Sequence, residues 1–133
     1  MQENLLIVDD EEWVRRVECL TLESNGYCCT PAACPAEARE RLQQRRFDLA
    51  LVDVKMPGES GLELATDICR QAPGTAVLMV TGEDDPAIAK LALEIGTYGY
   101  LVKPFHLNAA SPQPPGFPVL SRGANILLCA RRA

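Results

Sequence analysis

Charged and hydroxyl side chains stand at the ends of four short apolar runs in this sequence. The runs cover residues 5–8, 49–52, 76–80 and 100–102, and the polar residues after them are Asp9, Asp10 and Glu11, then Asp53, then Thr81, then Lys103. Carboxylate oxygens are the ligands that Mg²⁺ prefers, and a hydroxyl beside an ammonium group suits the oxygens of a phosphoryl group. If the runs are parallel strands, their carboxyl ends meet at one edge of a sheet. The spacing therefore predicts a divalent-cation site next to a phosphate slot.

Each of these residues also has an ordinary structural explanation. Asp10 and Thr81 could cap helices, Asp53 could end a strand at a turn, and Lys103 could be a solvated surface charge. The occurrence of suitable residue types at all four strand ends favours a shared site over four separate explanations.

Segments with helical periodicity separate the apolar runs. Pro35 and Pro86 stand where a first helical turn begins, and Gly26, Gly74 and Gly96 stand where helices end. The expected apolar faces are Trp13, Val17 and Leu20; Ala38 and Leu42; Ala65, Ile68 and Cys69; and Ile88, Leu91, Ala92 and Ile95. Residues 27–30 form a weaker fifth strand candidate. This alternation predicts an α/β fold with a doubly wound five-stranded parallel sheet.

Composition and charge narrow the class of protein. The chain has 133 residues, 47% of them hydrophobic, and a net charge of −5, which fits one compact domain and argues against direct binding to nucleic acid. No apolar run approaches the roughly eighteen residues that span a bilayer, and the first residues are polar rather than signal-like. We therefore expect a cytoplasmic protein with no membrane partner.

The cysteines and the single histidine argue against several kinds of site. The six cysteines include no C-x-x-C pair, so we expect free thiols that pack as small hydrophobic groups rather than a zinc cluster. His106 is the only histidine, and neither G-x-S-x-G nor the P-loop motif is present. Common hydrolase and P-loop chemistries are therefore not expected.

With these residues in place, the sequence resembles the receiver domain of two-component response regulators over residues 4–107. The resemblance implies a flavodoxin-like fold, with strand order 2-1-3-4-5, that accepts a phosphoryl group from a sensor histidine kinase or a phosphotransfer protein. The residues that carry it are Asp9 and Asp10; Asp53 with Met56, Pro57, Gly58, Ser60 and Gly61; Val80, Thr81 and Gly82; and Tyr100, Leu101, Val102, Lys103, Pro104 and Phe105.

The same resemblance implies roles for individual residues. Asp53 is expected to be the phosphorylated residue, and Thr81 and Lys103 are expected to contact the phosphoryl oxygens as catalytic residues. The expected ligands of the Mg²⁺ cofactor are Asp9, Asp10, Asp53 and the backbone carbonyl of Lys55.

Four positions match regulatory positions of receivers. Thr81 and Tyr100 match a switch pair, in which the aromatic ring enters the space that the hydroxyl leaves. Lys55 and Glu83 match positions that tune the lifetime of the phosphorylated state.

The sequence departs from the receiver pattern after Asn108. Pro112, Pro114, Pro115 and Pro118 cannot lie inside a helix, so residues 108–133 form an atypical proline-rich tail in place of a regular fifth helix. We assign residues 1–107 to the receiver domain. The tail could hold a displaced fifth helix around residues 125–132 or an arm swapped with a second copy, which makes a homodimer one of the candidate assemblies.

The function expected from these residues is that of a phosphoacceptor signalling module. It would catalyse only its own Mg²⁺-dependent phosphorylation and dephosphorylation and would switch the face formed by the fourth helix, the fifth strand and the tail. A Mg²⁺-dependent phosphatase with an aspartate nucleophile is one alternative, but Lys55 and Glu11 stand where it needs a second aspartate. A receiver-like scaffold that never uses phosphate is the other.

Overall fold

Strands and helices alternate along the whole described chain. The computed structural model describes residues 4–24, 26–81 and 86–102. The elements are β1 (Asn4–Val8), α1 (Glu12–Glu23), β2 (Cys28–Ala32), α2 (Pro35–Gln44), β3 (Leu49–Asp53), α3 (Gly61–Gln71), β4 (Ala76–Thr81), α4 (Pro86–Ile95) and β5 (Gly99–Val102).

Local sequence signals account for several helix ends. α2 and α4 begin at Pro35 and Pro86, whose fixed φ and missing N–H suit a first turn. The side chain of Ser60 accepts a hydrogen bond from the Leu62 N–H and caps α3. Gly96 follows α4 with φ of 103°, a left-handed conformation that stops a helix. The helix starts at Pro35 and Pro86 and the helix end at Gly96 agree with the sequence predictions.

The five strands form one parallel sheet in the order β2-β1-β3-β4-β5. In the centre, Val8 of β1 pairs with Val52 of β3, and Asp53 pairs with Val80 of β4. The order reverses at β1, because β2 lies on one side of it and β3 on the other. Ligands of such sheets bind at this reversal, beyond the carboxyl ends of the strands. The predicted doubly wound α/β fold with a parallel sheet is confirmed.

Two apolar layers cover the two faces of the sheet. One layer joins alternate strand residues such as Leu5 and Ile7 to Leu22 of α1. The other joins Leu6 and Val8 to residues of α2, α3 and α4, namely Ala38, Leu64, Ala65, Ile68 and Ala92. The alternation follows from the two-residue period of a strand. Within the described residues, α1 is thus the helix of one face and α2, α3 and α4 are the helices of the other.

The predicted apolar face of α1 is wrong as a packing face. Trp13, Val17 and Leu20 are 74%, 44% and 66% exposed, whereas Glu18 and Leu22 are buried. In α4, Leu91 is also exposed at 46%, while Ile88, Ala92 and Ile95 pack on the core as predicted. Periodicity located both helices, but the sheet determined which side of each one is covered.

Several predictions lie outside the described residues. These are the roles of Lys103 and Glu83, the position of the Tyr100 ring and every statement about the tail of residues 108–133. The five described cysteines form no disulfide, but Cys34 is exposed and the other four are half-buried, so they are less buried than expected.

Candidate functional site

Four of the predicted site residues lie at the carboxyl edge of the sheet. Asp9 and Asp10 follow β1 directly, Asp53 is the last residue of β3, and Thr81 is the last residue of β4. Because Val8 pairs with Val52, the next residues of these neighbouring strands, Asp9 and Asp53, are adjacent. The strand register therefore brings together residues that are 44 positions apart in sequence.

The three aspartates form one cluster. Oxygen atoms of Asp9, Asp10 and Asp53 all lie within 4.8 Å of one another. Asp9 and Asp53 are buried, at 1% and 7% exposure, while Asp10 is exposed to solvent. Three carboxylates at this distance repel one another, and a divalent cation between them relieves the repulsion. The donor set of hard oxygen atoms fits Mg²⁺.

Backbone contacts hold Asp9 in position. Its Oδ1 accepts a hydrogen bond from the Glu11 N–H at 2.9 Å, and its own N–H donates to the Ala32 carbonyl at 3.2 Å. Arg15 Nη1 donates to the Asp9 carbonyl oxygen at 2.7 Å. The turn after β1 thus orients the Asp9 carboxylate, and Arg15 links α1 to the backbone of Asp9.

The loop after Asp53 is bonded to the sheet at its start, and its two ends are bonded to each other. The Val54 N–H donates to the Val80 carbonyl at 2.8 Å, and the Gly61 N–H donates to the Val54 carbonyl at 2.9 Å. A Cβ on Gly61 would lie 1.8 Å from the Asp53 carbonyl oxygen, so α3 starts where only glycine fits. Lys55 is exposed at the beginning of this loop.

Thr81 and Tyr100 belong to neighbouring strands. Thr81 is fully buried and pairs with Val102, and the backbone of Tyr100 pairs with Met79 two residues earlier in β4. Lys103 and Glu83 lie outside the described residues, so their roles at the site stay predictions.

Sequence reasoning missed the arginines around the site. Arg15 binds the Asp9 carbonyl, and Arg39 of α2 pairs with Glu59 in the loop after Asp53. A cation soon after an acidic pair could have drawn attention to Arg15. No local pattern links Arg39 to Glu59, which is 20 residues away.

The helices of the described segments are 10 to 12 residues long. None of them combines the length and the apolar composition that crossing a bilayer requires.

Comparison with known proteins identifies one family. The family model of the response regulator receiver domain matches residues 5–110. A crystal structure of a CheY-like response regulator receiver domain protein from Methanospirillum hungatei JF-1 is similar, with 31% identity and a TM-score of 0.75. The similarity covers 80% of this chain and 85% of that one.

Two curated relatives are longer proteins. The transcriptional regulatory protein ResD of Bacillus subtilis is 36% identical over 101 residues, which is 76% of this chain and 42% of ResD. The aerobic respiration control protein ArcA of Escherichia coli K12 is 35% identical over 103 residues, 77% of this chain and 43% of ArcA.

The length of these relatives bears on the expected partners. The chain spans less than half the length of each of them. ResD is named as a transcriptional regulator, so the expectation of no contact with nucleic acid, drawn from net charge, is not supported.

Proposed function

Because this chain belongs to the response regulator receiver domain family, we propose that it is the phosphoacceptor module of a two-component phosphorelay. A sensor histidine kinase or a phosphotransfer protein, acting in the cytoplasm, donates the phosphoryl group, and Asp53 accepts it. The observation that carries this proposal is the convergence of the Asp9, Asp10 and Asp53 oxygens within 4.8 Å at the carboxyl edge of the sheet.

The chemistry proposed for Asp53 is an attack of its carboxylate oxygen on phosphorus. The bond between phosphorus and the donor imidazole nitrogen breaks, and an acyl phosphate forms on Asp53. The low exposure of Asp53 limits the access of water to the reacting atoms.

The attack brings negative charge toward an anionic group, so nearby positive charge is needed. We assign Mg²⁺ binding to Asp9, Asp10, Asp53 and the Lys55 carbonyl. When bound, the ion offsets charge on the phosphoryl oxygens. Lys103 and the hydroxyl of Thr81 are assigned to the same oxygens.

The proposed response to phosphorylation runs through Thr81 and Tyr100. Thr81 ends β4 with no exposure to solvent, so a shift of its hydroxyl toward the phosphoryl group leaves space inside the protein. The ring of Tyr100 is proposed to enter that space. The change would alter the surface of α4, β5 and the tail, where a second copy of the chain is a candidate partner.

Phosphorylation by a small acyl phosphate tests the proposal. With Mg²⁺ present, we expect one acid-labile phosphoryl group on the wild-type protein and none on Asp53→Asn, as measured by intact mass. Asp48→Asn is the matched control, because Asp48 precedes the same strand at its opposite end and accepts a hydrogen bond from the Asn4 N–H. Equal labelling of Asp53→Asn and the wild type would overturn the assignment.

A further inference from the structure

Arg39 of α2 contacts two carboxylates that belong to different segments. Its Nη1 donates to Glu59 Oε1 at 2.8 Å, and its Nη2 donates to Glu59 Oε2, which makes the pair bidentate. Nη2 also donates to Asp67 Oδ2 at 2.6 Å. One guanidinium group therefore joins α2, the loop of residues 54–60 and α3.

The loop of residues 54–60 connects Asp53 to α3. Its two ends are held by the backbone hydrogen bonds of Val54 and Gly61. Between them the chain passes through exposed residues at Lys55, Pro57 and Gly58 before it reaches Glu59. The ion pair of Glu59 fixes the outer part of this loop to α2.

We propose that Arg39 is a positioning residue, which holds the loop of residues 54–60 in the shape that Mg²⁺ binding beside Asp53 requires. This inference rests on the proposed function, because the Lys55 carbonyl in this loop is one of the assigned ligands. Mg²⁺ demands near-ideal octahedral geometry, so a small displacement of a carbonyl ligand weakens binding. Arg39 is not one of the assigned Mg²⁺ ligands, and its contacts with Glu59 act on the site through the loop.

The chemistry of the pair suits this role. A guanidinium fork fixes the orientation of a carboxylate through two parallel hydrogen bonds, which an ammonium group cannot do. Arg39 lowers the pKa of Glu59, and the two carboxylates raise the pKa of Arg39, so the group stays ionised at neutral pH. The side chains of Arg39 and Glu59 are 36% and 27% exposed, so salt weakens the pair.

Asp67 allows the loop contact to be separated from the helix contact. Asp67 binds Arg39 from α3 and is not part of the loop. Loss of Asp67 removes a contact between α2 and α3 and leaves the Glu59 pair in place. If loop position is what matters, Asp67→Asn affects Mg²⁺ binding less than Glu59→Gln does.

Calorimetric titration of the full chain with Mg²⁺ tests the proposal. We expect Arg39→Gln and Glu59→Gln each to raise the Mg²⁺ dissociation constant by about three- to tenfold. The double variant should bind Mg²⁺ no more weakly than either single variant, because both remove the same contact. The Mg²⁺ dissociation constant of Arg39→Lys should lie between those of Arg39→Gln and the wild type. Arg41→Gln is the matched control, because Arg41 pairs with Glu37 of its own helix, and it should bind Mg²⁺ as the wild type does.

A second measurement separates positioning from general destabilisation. In phosphorylation by an acyl phosphate, Arg39→Gln should need more Mg²⁺ for half-maximal rate and should reach the wild-type rate at saturating Mg²⁺. High salt should narrow the difference between Arg39→Gln and the wild type in the Mg²⁺ concentration that gives half-maximal rate. A variant that is merely less stable would lose rate at every Mg²⁺ concentration.

The outcomes distinguish this inference from the function on which it rests. A wild-type protein that binds no Mg²⁺, or takes no phosphoryl group, would overturn the proposed function. If the wild type does both and Arg39→Gln binds Mg²⁺ equally well, only the role of Arg39 is wrong. Equal losses of Mg²⁺ affinity in Arg39→Gln and Arg41→Gln would also overturn that role.

Discussion

Two adjacent aspartates of the site differ in what holds them. Asp9 is buried and accepts a hydrogen bond from the Glu11 N–H, whereas the side chain of Asp10 is exposed. Both carboxylates belong to the cluster with Asp53, and Glu11 does not. At the scale of single residues, the end of β1 therefore has one fixed carboxylate and one that reaches the cluster from the solvent side.

We expect Asp10→Asn to weaken Mg²⁺ binding by about tenfold or more and Glu11→Gln to have little effect, because only the first removes charge from the cluster. Trp13 is 74% exposed and lies three residues after Asp10, so its fluorescence reports the titration. Equal losses of Mg²⁺ affinity in Asp10→Asn and Glu11→Gln would mean that the cluster is not the metal site.

The lifetime of the phosphorylated state gives a second prediction. Lys55 is exposed next to the site, and its charge is opposite to that of Glu83. If the two screen the attacking water, replacing both with Ala should speed the release of phosphate. The control is Lys90→Ala with Glu94→Ala, an exposed pair of the same charges on α4. An unchanged or slower release in the Lys55 and Glu83 variant would rule out the screening.

At the scale of elements, the start of α3 determines the shape of the site. Gly61 begins this helix against the Asp53 carbonyl, and its N–H closes the loop of residues 54–60. The position of the helix and the direction of the Asp53 backbone therefore depend on one close contact.

Gly61→Ala should lower the free energy of unfolding by about 2 to 4 kcal/mol, because the new Cβ would overlap a backbone atom that cannot move aside. Urea unfolding measures the loss. Gly74→Ala is the control, since its Cβ would meet only the side chain of Arg46 at 3.6 Å. Similar unfolding midpoints for the two variants would show that α3 can shift at no cost.

At the scale of the whole molecule, a parallel sheet needs cover on both faces. In the described residues α1 covers one face, and its Trp13, Val17 and Leu20 remain exposed. An apolar patch of this kind is usually covered by another part of the chain or by a partner. The tail contains an apolar group at Ile126, Leu127 and Leu128 and has enough chain before it to reach this face.

We predict that the tail packs on the α1 face, and we favour docking on its own sheet over a swapped dimer. Truncation after Asn108 should lower the melting temperature or change the mass measured by light scattering. A full-length variant with Ile126→Ser, Leu127→Ser and Leu128→Ser should behave in the same way. If both proteins melt and scatter as the wild type does, the tail covers nothing.

Sequence patterns by themselves determined the order of the elements and the residues at the strand ends. Strand and helix periods are local properties, and Pro35, Pro86 and Gly96 mark helix ends within a few residues. For the same reason Asp9, Asp53 and Thr81 could be assigned to one edge of a parallel sheet before any distance was known.

Only the tertiary structure decided which helix faces are covered and which distant charges meet. Periodicity gave α1 an apolar stripe that includes Trp13, but the sheet contacts Leu22 instead, because the rotation of a helix depends on the surface beneath it. Arg39 meets Glu59 and Asp67 across 20 and 28 residues. No local period encodes such contacts, since they exist only when α2 and α3 lie on the same face of the sheet.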